Sequence, residues 1–491
     1  MAAIASETPA AAQRPGRTTL WNSAAVLAAA LIMLWPAIYN RFPLLYPDSM
    51  TYLDDGRIVA RAVFLHHFSD YYGMRSFFYS LGILPWHWNI NPWPVVALQS
   101  LLTAYVLRLV VRAIVPRRTT AHYLLLVSFL SVTTSLSWYV SLVLPDFLGP
   151  FLYLSIYLLV FARNTLSRGE RVSLYVIAWW AITSHATHLM LSAGLCVVLL
   201  LLFLLRRRSL RLGSIGEVAL LVLLAAASQM ALHGYLYGEP SLNGERPPFL
   251  TARVIADGPG RRYLDKHCSE VKWVICDHLN NLSSDPDNFL WGDGGLWQDV
   301  SDEEGKRILK EEVPFVLATI RAYPREQLSK SAANFRDQLN TFGLEDLDPS
   351  SWVLDEFDKV LPRAKASYLH SRQAQNAMPI ELFTSFQRWI VFGSLVIIAV
   401  FVPILWRRRP PMLLGLGLII AFTVVINALV TGTLSMVEDR LQCRVVWLVP
   451  LLAGLLILDS LSRYRESKKP PEKNHRHLPG EHTQSAKPFA V

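Results

Sequence analysis

Long runs of apolar residues divide this chain, each close to the roughly 20 residues a helix needs to cross a hydrocarbon layer about 30 Å thick. They centre on residues 21–39, 94–112, 121–138, 142–161, 172–187, 189–205, 216–236, 388–406, 412–433 and 442–461. Lipid offers no partner to a backbone N–H or C=O, so segments of this kind must satisfy those groups internally, as helices do. The expectation is an all-α polytopic membrane protein with about ten transmembrane helices. A large, partly helical extracytoplasmic loop is expected over 237–387.

Charge supplies the orientation. The net charge is +9 over 491 residues, a balance that in a soluble chain would raise nucleic acid as a partner. Here the basic residues stand in short clusters between apolar runs, at 112–118, 163–171, 206–211, 407–409 and from Arg463. That is the pattern of positive-inside topology, and no nucleic acid is expected. With a cytoplasmic N-terminal arm over 1–20, alternation puts all five clusters on the cytoplasmic side. This holds only if the stretch 172–205 is two spans turning at Ser184-His185-Ala186-Thr187-His188. The first run is too long for a signal peptide and no small-residue cleavage site follows it, so it reads as a retained span. An N-terminal membrane module is thus expected over 21–236, with a first outer loop over 40–93. C-terminal spans over 388–461 and a disordered cytoplasmic tail over 462–491 complete the chain. The setting expected is a cell inner membrane, with both termini cytoplasmic.

Two of the four cysteines, Cys268 and Cys276, share the large loop. On an oxidising face they are expected to form a disulfide. A metal held with the flanking His267 and His278 is the weaker alternative, because no strong zinc spacing is present.

Polar residues that do not set topology gather on the outer side. The first outer loop carries Leu44-Leu45-Tyr46-Pro47-Asp48-Ser49-Met50-Thr51-Tyr52, then Asp54, Asp55, His66, His67 and Asp70. Pro145-Asp146 opens the fourth span, His185 and His188 sit at the turn between the fifth and sixth, and Glu438-Asp439-Arg440-Leu441-Gln442-Cys443-Arg444 precedes the last. Each has an ordinary reading. Asp48 reads as a helix N-cap, Asp54 and Asp55 as a solvated helix face, Asp146 as an acid favouring a helix N-terminus, and the histidines as interface residues bonded to backbone. Arg440 and Arg444, four apart, share a helix face and read either as partners of Glu438 and Asp439 or as an anion clamp. Guanidinium forks match phosphate geometry, and Arg444 lies deep enough in an apolar segment to need a partner.

Two outer acids and an arginine pair suit transfer of a group from a phosphorylated lipid. One carboxylate takes a proton from an acceptor hydroxyl while the arginines stabilise the leaving phosphate. In this layout the chain resembles integral-membrane glycosyltransferases of the GT-C type, which include protein O-mannosyltransferases, aminoarabinose transferases and oligosaccharyltransferases. The resemblance spans roughly 30–460 and rests on layout and short motifs. It implies Asp48 as the catalytic acid after the first span, with Asp146 as a second. Substrate contacts are expected from Arg440, Arg444, His185, His188 and Tyr52. The implied donor is a polyprenyl-phosphate-linked sugar, and the acceptor an extracytoplasmic glycan, lipid or protein at the bilayer. A divalent cation is an open possibility, with no metal ligands assigned.

The chain departs from that pattern in two places. Ser49 follows Asp48 where several members have a second acid, and Trp179-Trp180 is followed by Ala181 inside a span, which argues against asparagine-linked transfer. In the large loop the glycines match neither a P-loop nor a dinucleotide fingerprint. Trp273, Trp291 and Trp297 read as interface anchors or as sugar-stacking rings. Helical periodicity is expected over 303–317 and 325–342. The rival reading is a transporter or flippase of a lipid-linked or anionic substrate, whose charges would lie near the bilayer midplane.

Overall fold

The computed structural model describes residues 15–69, 75–116, 119–205, 210–242, 244, 246–408 and 410–468. The N-terminal arm to residue 14, Asp70, the arginines at 117–118, 206–208 and 409, and the tail from 469 lie outside the described residues. Among the described residues there is no strand, and one isolated bridge joins Leu44 to Leu142.

Six helices are long and apolar enough to cross a membrane: Trp93–Ile114, Ala186–Leu205, Leu212–Tyr237, Ile380–Leu405, Pro411–Leu434 and Asp439–Arg465. The remaining runs form shorter pieces, for identifiable reasons. Helix Pro15–Met33 stops at Leu34 and a separate helix, Trp35–Asn40, begins around Pro36, whose ring nitrogen has no proton to continue the ladder. Helix Thr119–Thr133 stops where the Thr133 and Thr134 hydroxyls turn back onto the carbonyls of Phe129 and Leu130, and it resumes as Leu136–Ser141. The fourth run opens extended and becomes helical only from Pro145. Helix Arg168–Thr183 has 16 residues and ends just before His185, where the chain turns into Ala186–Leu205.

Several of the long helices present apolar side chains outward. Trp389 is 77% exposed and Val396 65%, on a helix whose buried share is the smallest of the six. Exposure of this kind along a whole helix is what a lipid-facing span requires.

Between Phe249 and Val316 the chain forms a helical body with its own apolar cluster, including Ile255, Leu264, Phe289, Ile308 and Phe315, whereas Phe342, Phe357 and Tyr368 beyond it join the main core. Its longest helix is Asp302–Ala322, opened by a Ser301/Glu304 capping box, and the next helix, Pro324–Asn340, packs chiefly along Pro411–Leu434. Cys268 is bonded to Cys276, closing helix Pro259–Val271 onto the turn after it. Trp273 packs on Tyr263 and Phe315, and Trp297 lies over Gly305, so both serve the packing of this body. Met436 and Leu441 belong to the same cluster and fasten the body to the start of the last long helix.

Helices Pro47–Leu65 and Phe77–His87 lie against each other at Gly56, where an added Cβ would meet the Ser80 carbonyl oxygen at 2.6 Å. The obstruction is backbone and cannot swing aside. Gly56→Ala is therefore expected to destabilise the protein by about 1–3 kcal/mol, the usual range for overpacking, read as a lower thermal midpoint in detergent.

Candidate active site

Two matched segments carry the first pair of acids. Leu44-Leu45-Tyr46-Pro47-Asp48 and Leu142-Val143-Leu144-Pro145-Asp146 run parallel through the Leu44–Leu142 bridge. The Leu44 N–H donates to the Ser141 carbonyl at 2.9 Å and the Val143 N–H to the Leu44 carbonyl at 3.1 Å. In each segment proline then takes the first helical position, where its missing N–H costs nothing, and the aspartate follows it into the first turn. Asp48 is thus not the N-cap that the sequence suggests. Tyr46 holds that position, because Pro47 starts the helix one residue before the acid.

Buried amides fix the surrounding backbone. The Gln99 side chain donates to the carbonyls of Val140 and Leu142 at 2.9 and 2.8 Å. Gln373 accepts the Leu45 N–H at 3.1 Å and donates to the carbonyls of Leu45 and Leu347 at 2.7 and 2.9 Å. Gln338 clasps the backbone of Glu438, accepting its N–H at 3.0 Å and donating to its carbonyl at 2.7 Å. Asn427 donates to the Leu441 carbonyl at 2.7 Å and accepts from Arg444 at 3.1 Å. Each clasp replaces a missing helix or sheet bond, so irregular backbone is held with its polar groups satisfied.

Onto this frame the structure brings Asp48, Asp146, Arg440 and Arg444 together. Arg440 Nη1 lies 3.5 Å from an Asp48 oxygen and 3.7 Å from an Asp146 oxygen, and its Nη2 lies 3.7 Å from Glu438. The ring of Tyr46 covers the guanidinium at 4.4 Å. Arg444, 1% exposed at its side chain, reaches the other Asp146 oxygen at 3.2 Å. Both arginines stand on one face of helix Asp439–Val446. The Nε atoms of both are buried without a partner among the described residues.

Three participants lie outside the residues that the sequence singles out. Arg75 donates to Asp48 at 2.6 Å, with the Trp291 ring 5.4 Å from its guanidinium carbon. Asp346 accepts the Arg440 backbone N–H at 2.7 Å. Asn427 supports Arg444 from within an apolar helix. The long-range amides were equally silent, although glutamine or asparagine in an apolar stretch is the signal that would have flagged Gln99 and Asn427.

The remaining sequence candidates sit as follows. Tyr52, one turn beyond Asp48, is buried edge-on against Tyr79 at 4.9 Å. His185 and His188 face each other with ring centres 5.2 Å apart, and Arg444 is an electrostatic neighbour of both. His188 Nδ1 donates to the Ala181 carbonyl at 2.8 Å, while His185 Nδ1 accepts the Thr187 N–H at 3.3 Å. Neither histidine bonds an acid of the cluster. Asp54 and Asp55 are buried, not solvated: helix Ser351–Val360 packs on their helix and sends Lys359 to Asp54 at 3.2 Å, with Arg57 at 2.9 Å. Asp439 turns away from Arg440 toward Arg388, at 3.9 Å.

The cluster holds four carboxylates, Asp48, Asp146, Asp346 and Glu438, against three guanidinium groups. Burial pushes the Glu438 carboxyl up to about 7, a shift that Arg440 limits and that Asp346, Asp287 and Asp48 reinforce. Burial also raises Asp346, with Arg440 opposing. Among the described residues no group of three or more His, Cys, Asp or Glu side chains is arranged to hold a metal ion. Chemically, the arrangement offers an anion two convergent guanidinium groups already oriented by carboxylates. Comparison with known proteins gives no matching family model, no similar curated protein and no similar solved structure, so the chemistry of this cluster must carry the functional reading.

Proposed function

We propose that the chain is a multi-pass membrane glycosyltransferase that moves a sugar from a polyprenyl-phosphate donor to an extracytoplasmic glycan, lipid or protein acceptor. In this reading the chain crosses an inner membrane about ten times, with both termini cytoplasmic. The body between 237 and 387 stands outside and covers the site. The observation that carries the reading is the pairing of Arg440 and Arg444 on one helix face with acids from two other segments. A donor phosphate would displace carboxylate oxygens from the guanidinium forks and leave as phosphate with its charge neutralised there. Asp48 and Asp146 hold those forks in place before the donor arrives. Low dielectric around the buried Arg444 strengthens the attraction.

A transporter or flippase of a lipid-linked substrate is the alternative, favoured only by a polar path through the middle of the bundle. The gathering of acids and arginines at one end of it supports transfer instead. The test uses purified protein in nanodiscs with a polyprenyl-phosphate sugar labelled in the sugar. Transfer predicts that label leaves the lipid fraction and becomes covalently attached to acceptor. In proteoliposomes, movement of the intact labelled lipid between leaflets without cleavage would replace this reading by transport.

A further inference from the structure

Transfer to a hydroxyl needs a proton acceptor, and the four carboxylates of the cluster are not equally able to serve. Asp48 is gripped by Arg75 at 2.6 Å and lies 3.5 Å from Arg440. Asp146, 2% exposed at its side chain, is paired to Arg444 and Arg440 and sealed from any acceptor. Asp346 is occupied by the Arg440 N–H. Glu438 differs from all three: its carboxylate receives no hydrogen bond among the described residues, its only cation is Arg440 at 3.7 Å, and its side chain is 20% exposed. Its backbone is nonetheless clasped at both N–H and C=O by Gln338, so a carboxylate with no hydrogen bond of its own stands on a fixed backbone.

We infer that Glu438, and not Asp48, is the general base that takes the proton from the acceptor hydroxyl. The inference rests on the transfer reading above. In the step, the acceptor oxygen forms a bond to the anomeric carbon of the donor sugar and the bond from that carbon to the phosphate oxygen breaks. The bonding pair leaves on the phosphate, which the arginines hold, and the hydroxyl proton passes to a Glu438 oxygen and then to solvent. Asp48 and Asp146 act as positioning residues for Arg440.

The groups facing Glu438 come from every neighbouring segment: Arg440 from its own helix, Asp48 and Tyr46 from the first segment, Asp346 from the turn at 345–347 and Asp287 from helix Pro286–Trp291. Burial, opposed by Arg440 and reinforced by the three acids, pushes the Glu438 carboxyl up to about 7, so it is protonated below that pH and available as a base above it. A base of this kind matches its affinity for protons to the working pH, which is the condition for efficient proton transfer.

Two measurements on the full protein in nanodiscs test the assignment. Infrared difference titration of wild type should show a carboxylic acid band that titrates near pH 7 and is missing from Glu438→Gln. The pH profile of transfer from labelled donor should fall about tenfold per pH unit below pH 7 in wild type. Glu438→Gln should lose about 10²–10⁴-fold in rate together with that acid limb, while Glu438→Asp, which keeps a carboxylate, should retain a limb at reduced rate. Because Gln338 grips only backbone, both variants should keep their clasp. Transfer by Glu438→Gln at the wild-type rate with an unchanged acid limb overturns the assignment alone. Absence of transfer by wild type, with the infrared band intact, overturns the transfer reading and the base with it.

Discussion

Arg440→Gln should leave the protein folded and reduce transfer by roughly 10²–10³-fold, the loss typical of removing one preorganised donor from a developing anion. The separation of activity from stability follows from how Arg440 is shared. Asp48 retains Arg75 at 2.6 Å and Asp146 retains Arg444 at 3.2 Å when Arg440 is gone, so neither acid is stranded. Only Glu438 loses its cation, and it has solvent to turn to. Arg440→Lys should recover part of the loss, because an ammonium keeps the charge and gives up the fork. Label transfer from the lipid-linked donor measures the effect, with thermal unfolding in detergent as the control for folding. Loss of the fold with Arg440→Gln would mean that the residue is structural.

Arg444→Met should do the opposite, destabilising the protein by about 3 kcal/mol, because a buried ion pair that loses one member leaves Asp146 with only the more distant Arg440 in a medium that solvates it poorly. Asp146 is 2% exposed at its side chain and depends on Arg444 for its closest cation, and Asn427 loses the donor to its side-chain carbonyl at the same time. The double variant Arg444→Met, Asp146→Leu should recover much of that stability, since an apolar pair of similar volume can replace a buried salt bridge at little or no cost. It should remain inactive. A single variant as stable as wild type would show that the pair carries no structural weight.

The sequence made the two Pro-Asp acids and the two arginines legible through one local rule: a charge inside or beside an apolar run has to be met by something. What it did not show was the partner. Arg444 and Asp146 are 298 residues apart, and Arg75 reaches Asp48 across 27 residues that include Asp70–Met74, outside the described positions. The burial of Asp54 and Asp55 is hidden from the sequence for a related reason. Their helix is amphipathic, and nothing in its own residues reveals that Ser351–Val360 covers the polar side and brings Lys359 with it. Hydropathy marks the apolar helices, yet it does not register the breaks at Leu34 and at Thr134-Ser135, which arise from proline and from hydroxyls bonding backward, with no loss of apolar character.

Leu44 and Leu142 stand equally far from their acids along the two segments, and each segment reaches its acid through a proline. The bridge therefore acts as a common origin from which two arms of equal length are measured. An arm longer by one residue would move its acid by about 3.3 Å, nearly the whole distance between Arg440 and either carboxylate. Arms lengthened together would keep the acids level. The span of the jaw that grips Arg440 is thus set by main-chain counting from the bridge, which the Gln99 and Gln373 side chains hold in place.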